Sequence, residues 1–526
     1  MTSPSLPAQT SVDSADLLPP GADPRPKPRK SYGKTARRSA VWDLGSKMTS
    51  QAVNMVISLF LARLLTPGDF GITAASRFFI LLASRLTQLG LNVSLVRMKD
   101  LRNEHSSSVF VVNLVMGVIA YTSLALASPF LGRFFGSDHV AGVLPVSALI
   151  FLVTPFGTVA SAMLQRNLQY RTGTIIAVCD SILGSLITLA MAWLGFGYWS
   201  LVWGSLIAAV ISTGMRIYAS PWRLSVRFSM SALKDTLSFG LGFQTKRLIS
   251  FASTNIDNFI VGRFLGVVSL GHYDKAYGLM AQVTDRMTFD GALMRIFAII
   301  HTEPERFRKA LLRGIAATSI ASTPLLMFVA VSADRLVPTL FGDQWGPAIG
   351  PLRVLAVSGM ARSMARPIYA ATEALGYVWR QVALSIVSLS VLVTGIAVGS
   401  RWGLTAASLG VLCATFLNVW LTINVLQRFS PVNKLDIWRS VWPSLATASL
   451  LGLAVAAEHW TLVQLGITRT GFLFAGDFAT VAVVYPALLI WTPFASVAKV
   501  VRDSADDLVP WVVRRFPFGV FKPLAK

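Results

Sequence analysis

The sequence predicts an all-α polytopic membrane protein with about 14 transmembrane helices, arranged as two parallel six-helix repeats around a central cavity, plus two C-terminal helices. Three observations carry this expectation. Of 526 residues, 53% are hydrophobic and only 14% charged, where soluble domains carry about 25% charged residues; the mean hydropathy is +0.59. The apolar residues fall into runs long enough to cross a bilayer, which takes ~20 residues. Finally, the segment ARLLTPGDFG (Ala62–Gly71) is echoed 200 residues later, with Arg63, Leu65 and Gly71 matching Arg263, Leu265 and Gly271.

In chain order, residues 1–38 are rich in Pro, Ser, Lys and Arg. They lack an apolar run with a cleavage site and read as a disordered basic cytoplasmic tail. A first lobe, 39–218, holds spans at 39–64, 69–95, 107–132, 141–164, 173–194 and 198–218. After a cytoplasmic linker at 219–235, a second lobe, 236–426, holds spans at 236–262, 268–298, 311–331, 347–372, 379–399 and 403–426. Spans 438–458 and 474–496 complete the set, and 497–526 reads as a cytoplasmic amphipathic tail in which basic residues alternate with Trp511, Phe516, Phe518 and Phe521.

The duplication extends past the first motif. Phe135-Gly136 pairs with Phe341-Gly342, Pro145 with Pro351, Gly197 with Gly403 and Gly204 with Gly410, all at an offset of 206. Six spans is an even number, so both copies enter the membrane the same way, related by an axis along its normal. The junction Asn255–Met280 opens the second copy. There a helix carrying Asp257 is expected to end near Arg263, with a turn over Gly266–Gly271 and a new helix from Tyr273.

A net charge of +22 could point to nucleic acid, but the basic residues sit in short segments between apolar runs. With the N-tail inside, 31 of the 47 Lys and Arg fall in cytoplasmic segments. Only six (Arg63, Arg133, Arg263, Arg335, Arg401 and Arg469) fall outside, and ten lie within spans. That bias puts both termini in the cytoplasm. Cys179 and Cys413 lie in apolar runs and read as small buried residues without a disulfide framework. The five histidines are dispersed, no Walker A sequence occurs, and the longest outer segment, about 459–473, holds no acid/base cluster. No metal, cofactor or enzymatic centre is expected.

The chemistry lies in the charges inside spans, which are costly in hydrocarbon and tend to face cavities. The ten cations are Lys47, Arg77, Arg85, Lys246, Arg247, Lys275, Arg286, Arg353, Arg362 and Arg366; the acids counted against them are Asp43, Asp180, Asp257, Asp274, Asp285 and Asp290. Spans 11 to 14 are expected to carry essentially none in their middles. Arg77 and Arg85 fall within about 80° of each other on a helix, and Arg362 and Arg366 share a face. Lys275 and Arg286 nearly superimpose down the axis. Asp43–Lys47 and Arg286–Asp290 are also spaced to neutralise each other. Arg353 near a span end is placed to snorkel, and Arg63 and Arg263 to anchor at the interface. The surplus suits an anion, since the guanidinium fork binds phosphate oxygens in pairs. Arg77, Arg85, Lys246, Arg247, Lys275, Arg286, Arg362 and Arg366 are therefore the expected substrate contacts. Asp257, Asp285 and Asp43 are the expected coupling carboxylates, for a proton or sodium.

The pattern Asn255-x-Asp257, Gly262-Arg263-x-Leu265-Gly266, Leu270-Gly271-x-Tyr273-x-x-Ala276-Tyr277, with ARLLTPGDFG upstream, resembles the polysaccharide transporter family. These are the Wzx-type flippases of the multidrug/oligosaccharidyl-lipid/polysaccharide exporter superfamily. The likeness covers roughly 38–500 and departs at His272, where an aromatic residue is common. It implies two six-helix lobes with two extra helices, spanning the bacterial inner membrane. It also implies a cargo, an undecaprenyl-diphosphate-linked oligosaccharide moved to the outer leaflet for exopolysaccharide, capsule or O-antigen assembly, with polymerase and chain-length or export proteins as partners. A drug exporter of the same superfamily is the alternative, disfavoured by the basic excess. A membrane polymerase or ligase would be expected to show a long catalytic outer loop.

Overall fold

The computed structural model describes residues 49–491, apart from 89, 99–100, 224, 226–227, 287–289, 431 and 467–469. The two tails and Asp43 and Lys47 lie outside the described residues. Among the described residues the chain is helical with short connections and no strand.

Helix α1 covers 49–64 and is followed by α2, Pro67–Thr87. The TPGD sequence explains the boundary. Thr66 caps α2, its hydroxyl accepting from Asp69 N at 3.2 Å while Asp69 Oδ2 accepts from Thr66 N at 2.8 Å, and Pro67 fills the first turn; such a reciprocal box satisfies two orphan donors. Asp69 Oδ1 also accepts from Tyr198 N at 3.1 Å, tying α2 to the start of α8 (Tyr198–Ala219). Between them lie α3 (Leu91–Arg97), α4 (Asn103–Phe135), α5 (Asp138–Ala148), α6 (Ile150–Arg166) and α7 (Tyr170–Trp193). The second expected span thus breaks after Thr87.

Helix α9 runs from Met230 to Arg286 with one non-helical residue, Gly266 at φ 82° and ψ 171°. The expected turn over Gly266–Gly271 shrinks to this single residue, because glycine alone adopts that backbone at no steric cost. The break falls 200 positions after Thr66, the cap that opens α2. Helix α9 also begins inside the expected 219–235 linker.

The chain continues through α10 (Asp290–Ile300), α11 (Pro304–Val331), α12 (Ala333–Phe341), a 3₁₀ turn at Asp343–Ala348, α13 (Ile349–Ala374), α14 (Val378–Gly399) and α15 (Leu404–Gln427). Helices α16 (Lys434–Gln464) and α17 (Thr470–Trp491) pack on α11 and α12, where Tyr485 donates to Ile320 O at 2.6 Å. Among the described residues, ten helices are long and apolar enough to cross a membrane.

The largest core cluster joins the two parts of the chain. It runs from Ala62, Ile72 and Phe135 through Val261, Tyr273 and Met280 to Trp345, Leu352 and Leu355. Trp345 and Tyr273 are among its fully buried side chains.

Candidate functional site

Two cavities lie along α9. The larger, about 780 Å³, is lined by α9, α13, α14 and α15 with Met294 of α10, every lining residue falling between Thr254 and Asn418. The smaller, about 240 Å³, lies between α2 and α9 and holds Arg77 and Asp274.

Asp257, Asp285, Arg362 and Arg366 of the expected set converge on the larger cavity. Asp257 is buried; its Oδ2 accepts from the Tyr273 hydroxyl at 2.9 Å and its Oδ1 from Asn258 N at 3.0 Å. Arg362 Nη1 donates to the Tyr277 hydroxyl at 2.6 Å, with the guanidinium 5.7 Å from that ring's centre. It is close enough to interact electrostatically with Asp257. Arg366 is ion-paired with Asp285.

The other expected residues scatter. Arg77 shares the small cavity with Asp274 and interacts with its charge, a partner one helix away that sequence spacing alone does not show. Arg85 lies half-buried in the last turn of α2 and lines neither cavity. Lys246, Arg247 and Arg286 fall on the helical backbone of α9, with side chains outside the described residues, as Asp43 is altogether.

Lys275 lies in neither cavity. Its ammonium is 4.4 Å from the centre of the Phe70 ring, 4.9 Å from that of Phe341 and 5.6 Å from that of Trp345, and it donates to Ser58 O at 3.4 Å. This cage belongs to a latch between the two parts of the chain. Trp345 Nε1 and Gln344 Nε2 each donate to Ala62 O at 2.8 Å. Arg63 Nη2 donates to Thr339 O at 2.5 Å, and Arg263 lies 4.8 Å from the centre of the Phe134 ring. The expected interface anchors thus bind protein across the seam. The larger cavity uses the far half of α13, from Arg362 to Glu373, whereas the latch adjoins its beginning.

Several buried or cavity-lining groups carry little signal in the sequence. The last two spans were expected to carry essentially no charge in their middles; Asp477, near the start of the last one, is fully buried on α17 and pairs with Arg335 Nε at 2.8 Å. Arg335 is itself buried, at 4% exposure, instead of lying in an open outer segment. Glu373 joins Asp257 and Asp285 around the larger cavity, so among the described residues its carboxylates outnumber its arginines. Among the described residues the expected cationic interior is locally compensated, by Asp257 and Asp285 beside Arg362 and Arg366 and by Asp274 beside Arg77. Tyr277, Tyr369, Trp345 and Asn418 carry no charge pattern to betray them.

Long apolar helices, latched across one end and lining a polar cavity, define a multi-pass membrane protein of transporter architecture. The chain belongs to the polysaccharide biosynthesis protein family, whose model matches residues 60–350. It is similar to the lipopolysaccharide biosynthesis protein WzxC of Escherichia coli K12, 23% identical over 441 residues, covering 79% of this chain and 88% of that one. It is also similar to the teichuronic acid biosynthesis protein TuaB of Bacillus subtilis 168, 24% identical over 463 residues, covering 82% and 92%. Its fold is that of the lipid II flippase MurJ in an inward closed conformation, with TM-score 0.66 and 11% identity over 85% of this chain and 98% of that one. An inward-facing multidrug transporter of the MATE family superposes with TM-score 0.58 and 16% identity, covering 74% and 98%.

Proposed function

We propose that the chain is a flippase that moves an undecaprenyl-diphosphate-linked oligosaccharide from the inner to the outer leaflet of the inner membrane by alternating access. The observation that carries this reading is the pairing of a latch at one end with a polar cavity beside it, in a fold shared with a lipid II flippase. The names of the relatives WzxC and TuaB, both polymer biosynthesis proteins, agree with it.

The topology that goes with this function has fourteen spans. Ten are the apolar helices; α1, the two arms of α9 and α13 supply the other four, and the charges on α9 and α13 that make them interesting also lower their hydropathy. Two six-helix repeats are supported by a reciprocal contact. Arg63 of the first half reaches residues 339–340 of the second, and Arg263 of the second lies over Phe134 of the first. By the bias of basic residues, the latch is at the outer face, both termini are cytoplasmic and the cavity faces inward. Arg77 and Arg85 then serve the diphosphate, while Asp257 and Asp285 are the coupling carboxylates.

Leaflet exchange of a fluorescent undecaprenyl-diphosphate sugar in proteoliposomes tests the reading. Arg77→Ala combined with Arg85→Ala is expected to leave the protein inserted and to cut exchange at least tenfold, the loss of about 1.4 kcal/mol or more of charge-assisted contact. Normal exchange in that double variant would remove the cationic site from the mechanism. No exchange by the wild-type protein would remove the function.

A further inference from the structure

The larger cavity has a chemistry of its own. Arg362 is engaged by Tyr277 and Asp257, and Arg366 is paired with Asp285. With Glu373 present, three carboxylates face two guanidiniums among the described residues. A diphosphate entering here would have to separate existing ion pairs and lie beside acids of its own sign. These arginines are arranged as oriented N–H donors within a compensated wall.

Among the described residues, the wall formed by α14 and α15 carries no charge and mixes polar groups with the apolar Val382, Leu389, Leu392, Val411 and Ala414. The Tyr369 hydroxyl donates to Asn418 Oδ1 at 2.8 Å, and Asn418 Nδ2 donates to Ser388 Oγ at 2.8 Å. Gln381 Nε2 reaches Thr422 Oγ1 at 3.4 Å, at the edge of hydrogen-bonding distance. The relay from α13 through α15 to α14 fixes the Asn418 amide in one orientation while using one of its two N–H donors. Rigid amides and hydroxyls, oriented guanidiniums and two tyrosine rings, Tyr277 and Tyr369, together suit a ligand that is dense in hydroxyls and uncharged. The volume of about 780 Å³ falls within the range of about 300–1,000 Å³ typical of small-molecule sites.

We propose that this cavity is a saccharide subsite, which binds uncharged, hydroxyl-rich sugar units of the cargo within the second half of the chain and leaves the diphosphate outside it. The proposal rests on the flippase reading and adds a division of the cargo between two places. Asn418 and Tyr369 are then specificity residues for the sugar.

The test uses the full chain in nanodiscs and two probes: the oligosaccharide released by mild acid from the lipid-linked intermediates of the producing cells, and undecaprenyl diphosphate carrying no sugar. Tyr369→Phe keeps the ring and removes one hydroxyl; Asn418→Ala removes the relay, with thermal unfolding as the check on folding. Both variants are expected to bind the oligosaccharide about tenfold more weakly, one lost hydrogen bond with its unpaired partner, and undecaprenyl diphosphate unchanged. Unchanged oligosaccharide binding in the folded Tyr369→Phe protein, or an equal loss for both probes, would overturn the proposal. If the wild-type protein binds undecaprenyl diphosphate but not the oligosaccharide, the subsite is wrong and the flippase reading stands. If it binds neither, both fall.

Discussion

Gly71 and Gly271 lie back to back: a Cβ on Gly71 would fall 3.1 Å from the amide nitrogen of Gly271, and one on Gly271 would fall 3.0 Å from that of Gly71. Each would also overlap a carbonyl of the opposite helix, Val267 for Gly71 and Pro67 for Gly271. The contact is reciprocal, 71 with 267 and 271 with 67, the pattern of an isologous interface contained within one chain. Small residues that let backbones touch are how helices associate where lipid removes the hydrophobic drive. The match between positions 71 and 271 thus has a steric reason, and the reciprocity supports the proposed duplication.

Because backbone lies on the other side of each glycine, neither helix can yield by turning a side chain. Gly71→Ala is expected to separate α2 from α9 at the latch, at a cost of about 1–3 kcal/mol for overpacking. Ala62, fully buried under Trp345, reports the separation. In a background without Cys179 and Cys413, the Ala62→Cys thiol should react several-fold faster with an impermeant maleimide when Gly71→Ala is present. Gly271→Ala should act alike; equal labelling in all three proteins would show that the helices do not need the close approach.

Ala62 O is shared by two donors, Trp345 Nε1 and Gln344 Nε2. Trp345→Phe keeps an aromatic ring beside Phe70 while removing the donor and part of a fully buried indole, an expected loss of at least about 0.5–1.5 kcal/mol from the closed end. Gln344→Ala should cost a similar amount, and the pair should be non-additive because one acceptor serves both. The Ala62→Cys labelling rate in the two single variants and the double variant measures the coupling. Strict additivity would mean that the bonds act independently.

Much of this arrangement is legible in the sequence, and the reason differs by level. Long apolar runs dictate membrane helices, and TPGD dictates a helix start because each of its residues has a local role, Thr66 as cap and Asp69 as its partner. The site is less legible. The spacing of Arg362 and Arg366 places both on one face of α13, and both do line the larger cavity. Their partners come from α9, at Asp257, Tyr277 and Asp285, about 80 positions or more away in sequence. Helical spacing predicts faces and is blind to what packs across them. Lys275 illustrates the consequence: its charge draws notice, while the three aromatic residues that enclose it are scattered between Phe70 and Trp345.

Lys275 offers a clean discrimination between a latch and a substrate contact. Three rings at 4.4–5.6 Å are worth about 0.5–2 kcal/mol in cation–π attraction, depending on desolvation. Lys275→Met should therefore raise Ala62→Cys labelling while leaving the affinity for undecaprenyl diphosphate unchanged. Loss of that affinity without change in labelling would place Lys275 in the binding site instead.

Arg335 and Asp477 join α12 to α17 through an ion pair whose side chains are 5% and 0% exposed. Arg335 Nη2 also donates to Val331 O at 3.1 Å, so the guanidinium is held from two sides. A buried pair contributes little net stability once desolvation is counted, yet removing one member costs up to about 3–5 kcal/mol, less whatever Glu458, which interacts with both groups, and Asp334, 4.0 Å from Arg335, make up. Asp477→Asn and Arg335→Met should each lower the thermal unfolding temperature in detergent and loosen α17 from the bundle. The double variant Arg335→Met/Asp477→Leu, which removes both charges and keeps apolar bulk, should recover most of the loss. Single variants that unfold with the wild-type protein would show that water reaches the pair; a double variant no better than the singles would show that the charges themselves hold α17 in place.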